Sequence, residues 1–126
     1  MSKFRILVVD DERKVGILVA RLLDRNGYGV IHADSGEEAL SLALSEETLD
    51  LVLADINMPG LNGLDLDAAL LRSRPGLPVI FMTGIDRDST ICKALRDSTE
   101  FLAKPFSENE LVNAVRRVLD KGRQQG

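Results

Sequence analysis

Three aspartates, a threonine and a lysine each stand just after a short apolar run. Asp10 and Asp11 follow Ile6–Val9, Asp55 follows Leu51–Ala54, Thr83 follows Val79–Met82, and Lys104 follows Phe101–Ala103. If those runs lie side by side and parallel, all five residues meet on one rim, the place where open α/β sheets bind ligands. Three carboxylates on one rim repel, each close pair by roughly 4 kcal/mol at about 4 Å and an effective dielectric near 20. A hard divalent cation relieves this. Mg²⁺ keeps several waters and takes one or two carboxylates, so it leaves room for phosphate oxygens. With Mg²⁺ and Lys104 present, the charges of Asp10, Asp11 and Asp55 are balanced. Attack by Asp55 on phosphorus would produce an acyl phosphate carrying about −2, and the added oxygens would need donors. Thr83 offers a hydroxyl, and Gly84 after it leaves the backbone N–H open to a phosphoryl group.

The elements that would position these residues can be read from periodicity. Ile6–Val9 is a continuous apolar run of the kind found in strands buried on both faces, and similar runs recur at Gly29–Ala33, Leu51–Ala54, Val79–Met82 and, more weakly, Phe101–Ala103. Between the first two, Val15, Leu18, Val19, Leu22 and Leu23 form a helical stripe that stops at the C-cap pair Asn26-Gly27. Ser35 with Glu38, and Ser107 with Glu110, match the capping-box pattern and predict two further helix starts. Weaker stripes predict helices over about Leu64 to Arg72 and Ser89 to Asp97. Strands alternating with helices require parallel pairing through crossovers, hence a doubly wound α/β sheet with helices on both faces.

The 126 residues suffice for one domain with a core of its own, set at residues 1–121, with 122–126 expected to fray as a tail. A formal net charge of −4 argues against a surface built to neutralise nucleic-acid phosphates or anionic lipid. Cys92 is the single cysteine, so no internal disulfide forms and no zinc-type ligand set exists. The apolar runs are too short to span a bilayer and the N-terminus lacks a signal-peptide pattern. These features predict a cytoplasmic protein that binds neither nucleic acid nor membrane.

Taken in order, the residues resemble the receiver domains of response regulators in two-component signalling. The resemblance rests on Val8-Val9-Asp10-Asp11-Glu12, on Asp55-Ile56-Asn57-Met58-Pro59-Gly60-Leu61-Asn62-Gly63, on Thr83-Gly84 and on Lys104-Pro105-Phe106, which together span nearly the whole chain. It implies a flavodoxin-like (βα)5 fold with strand order 2-1-3-4-5. It also implies that Asp55 accepts the phosphoryl group, while Asp11, Asp55 and the backbone carbonyl of Asn57 ligate Mg²⁺ and Asp10 acts through water. Lys104 would pair with phosphoryl oxygens, with a cis Lys104-Pro105 bond. Thr83 would move toward the phosphoryl group and vacate space for Phe101, switching the face formed by the fourth helix, fifth strand and fifth helix.

By the same resemblance the partners are a histidine kinase or phosphotransfer protein, and a downstream effector or output domain. The chain would be a switch catalysing its own phosphorylation and dephosphorylation rather than an enzyme of free substrates. A phosphorylation-dependent dimer belongs to the same picture. One departure qualifies it: between Ala94 and Phe101, where many relatives have an Ala-Gly-Ala-like turn, this chain has Asp97-Ser98-Thr99 and is one residue shorter. Ile85, two positions past Thr83, is expected to hinder attacking water and slow loss of the phosphoryl group.

Each rim residue alone has an ordinary explanation. Asp10 or Asp11 could cap the first helix, Thr83 could cap the next, Lys104 could be a solvated lysine, and Phe101 could be core. His32 sits in the second apolar run and reads as a strand residue away from the rim, not as a phosphodonor. A haloacid-dehalogenase-like phosphatase would place its nucleophile in an Asp-x-Asp-x-Thr pattern after the first strand, where this chain reads Asp10-Asp11-Glu12-Arg13-Lys14. A flavin binder would need a hydroxyl- and glycine-rich loop there, because acids repel the flavin phosphate. A receiver reduced to a scaffold would have lost a site residue, and none is missing.

Overall fold

The structure, a computed structural model, describes residues 4–46, 48–84 and 100–125. Five parallel strands, β1 (Arg5–Val9), β2 (Gly29–Ala33), β3 (Leu51–Asp55), β4 (Val79–Thr83) and β5 (Glu100–Ala103), form one sheet in the order β2-β1-β3-β4-β5. The helices are α1 (Arg13–Arg25), α2 (Gly36–Ser45), α3 (Gly63–Ser73) and a C-terminal helix (Glu108–Gln125). This is the flavodoxin-like architecture.

Every residue of β3 and β4 is buried, as a strand covered on both faces must be. Alternate residues serve the two layers. Leu7, Val9, Val52, Ala54 and Phe81 pack with Ala39 and Ala43 of α2 and Leu66 and Leu70 of α3. Ile6, Val8, Leu51, Leu53, Ile80 and Met82 pack with Val19 and Leu23 of α1 and with Leu111, Val115 and Leu119 of the C-terminal helix. The period of two within the strands thus feeds both cores from one sheet.

Helix ends follow local hydrogen-bonding chemistry. Ser107 and Glu110 make a reciprocal capping box, each accepting the other's backbone N–H at 3.1 Å. At α2 the Ser35 hydroxyl accepts from Glu38 N, but Glu38 reaches one residue further back, to the N–H of Asp34. Asn62 caps α3 by accepting from Asp65 N. Helix α1 ends at Asn26, followed by Gly27 at φ +94°, as its C-cap pair requires.

Three readings change. Leu18 belongs to the predicted apolar stripe of α1, yet it is 57% exposed: Val19 and Leu23 face the sheet, and Leu18 sits beyond the edge of the covered face. Neither Asp10 nor Asp11 caps α1; the N-cap is Glu12, which makes no side-chain capping bond. Residues 122–125, read as a tail, continue the C-terminal helix. The predicted helix over Ser89 to Asp97, the Asp97-Ser98-Thr99 departure, Ile85 and Cys92 lie outside the described residues. Among the described residues, no helix is long and apolar enough to cross a membrane.

The two ends of the burial scale can be tested by urea denaturation. Phe81, fully buried midway along β4, is expected to cost about 3–5 kcal/mol when replaced by alanine. Leu18→Ala is expected to stay within about 0.5 kcal/mol of the parent.

Candidate functional site

Strand register brings the site together. Val9 pairs with Ala54, so Asp10 and Asp55 leave adjacent strands at the same level. Asp55 is in turn opposite Met82, and Thr83 opposite Ala103, just before Lys104. The rim predicted from the apolar runs therefore exists, at the carboxyl ends of β1, β3, β4 and β5.

Asp10 is fully buried and Asp55 only 5% exposed, whereas Asp11 faces solvent. Oxygens of the three carboxylates lie within 4.8 Å of one another. Asp10 Oδ1 accepts the backbone N–H of Glu12 at 2.9 Å, and Asp55 Oδ1 accepts that of Asn57 at 3.0 Å. Their other oxygens share one cation: Lys104 Nζ lies 3.0 Å from Asp10 Oδ2 and 2.9 Å from Asp55 Oδ2. Lys104 itself is held by its own N–H, which donates to the Thr83 carbonyl at 2.7 Å, and the peptide bond that follows it, to Pro105, is cis. Burial pulls the Lys104 ammonium down, but its hydrogen bonds to Asp55 and Asp10, and their charges, more than offset this and hold its pKa above the ordinary 10.5.

Thr83 is fully buried at the end of β4. Phe101 is half-buried, opposite Phe81 on the layer covered by α2 and α3. Asn57 is exposed on the loop after β3. His32 is nearer the rim than its place in an apolar run suggested: its Nε2 is 3.4 Å from the carbonyl oxygen of Asp10. The ring fits there because residue 16 is glycine, where a Cβ would lie 2.2 Å from Nε2. This contact joins positions far apart in the chain and leaves no mark on local periodicity.

The donor set suits a hard divalent cation. Three carboxylates and one ammonium leave an excess of two negative charges. The ligand atoms are all oxygen, and exposed Asp11 leaves one side open for the waters that Mg²⁺ retains.

The family model for the response regulator receiver domain matches residues 6–116. The chain belongs to that family. It is thus a receiver domain of the two-component type. The transcriptional regulatory protein YrkP of Bacillus subtilis (strain 168) is 40% identical over 111 residues, 86% of this chain and 46% of that protein. The transcriptional regulatory protein CpxR of Escherichia coli (strain K12) is 39% identical over 117 residues, 91% of this chain and 49% of that protein. The receiver spans about half the length of the curated relatives it matches. A receiver domain protein from Clostridium thermocellum has a similar solved structure, with a TM-score of 0.89 at 27% identity over 98% of this chain and 99% of that one. The response regulator TrrA of Thermotoga maritima, solved in complex with Mg(2+)-BeF, gives 0.80 at 34% identity over 91% and 98%.

Replacing Lys104 by methionine leaves two buried carboxylates without their shared cation. In chelator the variant is expected to lose about 3 kcal/mol, the low end for breaking a buried ion pair. Because the folded-state pKa of Lys104 is raised, its stabilisation is fully present below the ordinary 10.5 and is lost as pH climbs through the folded value. Urea midpoints of parent and variant should therefore keep a constant gap from neutral pH to about pH 9 and converge above 10.5. A gap that widens with rising pH would contradict this account of the pair.

Proposed function

We propose that this receiver accepts a phosphoryl group on Asp55 from the phosphohistidine of a histidine kinase or phosphotransfer protein and converts it into a change of surface. The observation that carries this reading is the single ammonium of Lys104 held between Asp10 and Asp55. One oxygen of Asp55 is fixed by the Asn57 N–H, which leaves Oδ2 as the atom that meets phosphorus. As the new P–O bond forms, the P–N bond of the donor breaks and its electron pair returns to the imidazole, which takes up a proton. Lys104, already 2.9 Å from Oδ2, then pairs with the phosphoryl oxygens. Asp11, Asp55 and the Asn57 carbonyl would hold Mg²⁺, with Asp10 acting through water. When bound, the cation supplies positive charge to the phosphoryl oxygens.

The readout is assigned to Thr83 and Phe101. The Thr83 hydroxyl turns toward the phosphoryl group and Phe101 occupies the space it leaves. A hydrogen bond to a charged group is worth roughly 1.5–3 kcal/mol, a bias of about 10- to 150-fold on a two-state element. The output surface involves β5 and the C-terminal helix, where a phosphorylation-dependent dimer or a downstream effector would dock. The relatives are named as transcriptional regulators and are about twice this length. The output domain, and with it any contact to DNA, is therefore assigned to the part of such proteins outside the receiver. The setting is cytoplasmic, and the receiver catalyses its own phosphorylation and dephosphorylation.

Intact mass after incubation with Mg²⁺ and acetyl phosphate tests the chemistry. The parent is expected to gain one phosphoryl group. Asp55→Asn, or a chelator, is expected to abolish the gain. Labelling that persists in Asp55→Asn would move the acceptor elsewhere. Thr83→Ala is expected to keep Asp55 as the acceptor, with no more labelling than the parent, and to leave the surroundings of Phe101 unchanged on phosphorylation, as followed by aromatic NMR resonances.

A further inference from the structure

The loop after Asp55 carries Asn57, and its two ends are tied together beside Asp55. Asn57 N–H donates to Asp55 Oδ1 at 3.0 Å, and Gly63 N–H returns to the carbonyl of Ile56 at 3.3 Å. Its far end is the tip Pro59-Gly60-Leu61, exposed at Pro59 and Gly60 and packed against the core through Leu61, and it is met by a different element, the first turn of α2. Glu37 Oε1 accepts the backbone N–H of Leu61 at 2.7 Å, across 24 positions of sequence.

Both sides of this contact depend on missing side chains. At Gly36 a Cβ would lie 1.9 Å from the Leu61 carbonyl oxygen. Gly60 sits at φ +72°, a conformation that disfavours other residues, and a Cβ there would stand 3.1 Å and 3.3 Å from the two carboxylate oxygens of Glu37. The start of α2 does not need Glu37 for its own capping, because Ser35 and Glu38 already satisfy the Glu38 and Asp34 N–H groups. The Glu37 carboxylate is thus committed to a loop it does not belong to. Its hydrogen bond is exposed to solvent, where such a bond adds little to global stability but still restricts where the loop can go.

We propose that Glu37 is a positioning residue for the metal site: by latching Leu61 it holds the loop that presents the Asn57 carbonyl. The latch rests on the reading of Asp11, Asp55 and Asn57 as the cation's ligands. A ligand atom that must be ordered before binding weakens affinity by the fraction of time it spends elsewhere. Release of the loop's far end therefore lowers Mg²⁺ affinity while the fold persists.

Calorimetric titration of Mg²⁺ into the parent, Glu37→Ala and Glu37→Gln, with amide hydrogen exchange and urea melts in chelator, tests this. Glu37→Ala is expected to weaken Mg²⁺ binding about 3- to 10-fold, within the range of one exposed hydrogen bond. It should also speed exchange of the Leu61 and Asn57 amides and leave the urea midpoint in chelator nearly unchanged. Glu37→Gln keeps an acceptor oxygen and is expected to bind within about twofold of the parent. Parent-like affinity in Glu37→Ala would overturn the latch. Equal weakening in both variants would overturn it too, assigning the effect to the charge of Glu37 at a distance. A parent that takes up no Mg²⁺ would overturn the cation reading itself and this proposal with it, an outcome distinct from parent binding with an unaffected alanine variant.

Discussion

Two buried carboxylates on neighbouring parallel strands cannot avoid each other. Once Val9 is paired with Ala54, the next residues, Asp10 and Asp55, leave the sheet side by side, with strands roughly 4.8 Å apart. The repulsion is a consequence of the same ladder that builds the core, so local rearrangement cannot remove it without breaking register. Lys104 answers it from two strands beyond β3. Its backbone is tied to Thr83 and its ammonium reaches both carboxylates. Sheet, loop ends and charge balance are thus one construction, and the strand that supplies the cation also carries Phe101.

This arrangement is incomplete by design of its charges. One ammonium against three carboxylates leaves the rim negative, which favours a divalent cation. The proposed phosphoryl group would then give Lys104 a new set of oxygens to pair with. A ligand shifts an equilibrium only by interacting differently with its two states. Under the proposed phosphorylation Lys104 and Thr83 would provide that difference, Lys104 tied by its backbone N–H to the Thr83 carbonyl and Thr83 fully buried at the end of β4.

Much of this was legible because buried strands end abruptly. The apolar runs stop at Asp10, Asp55, Thr83 and Lys104, and parallel pairing alone gathers those positions. The capping pair at Ser107 and Glu110 was legible for a similar reason, since its hydrogen bonds close within one helical turn. Strand order was not: periodicity does not say which strands neighbour, and order 2-1-3-4-5 came from the resemblance. Leu18 shows the limit of a helical stripe, whose phase is local but whose covered width depends on where the sheet ends. His32 and Gly16 show another, because their fit requires β2 and α1 to be packed before either residue type has meaning.

The loop after β3 poses the hardest case for any reading by residue type. A carboxylate ligand announces itself as Asp or Glu, but a backbone carbonyl ligand can belong to any residue, so the role proposed for Asn57 would leave no mark in its own chemistry. Its position must instead be set by what fixes the loop around it. In this chain those constraints lie on both sides of the site: the Asp55 oxygen that takes the Asn57 N–H, and the α2 carboxylate that takes the Leu61 N–H. Glycines at 36 and 60 make the second contact close enough to matter. On the proposed reading, the position of a metal ligand would depend on residues that never touch the metal, and the glycines at 36 and 60 matter because a Cβ at either would collide with or crowd the Leu61 carbonyl or the Glu37 carboxylate.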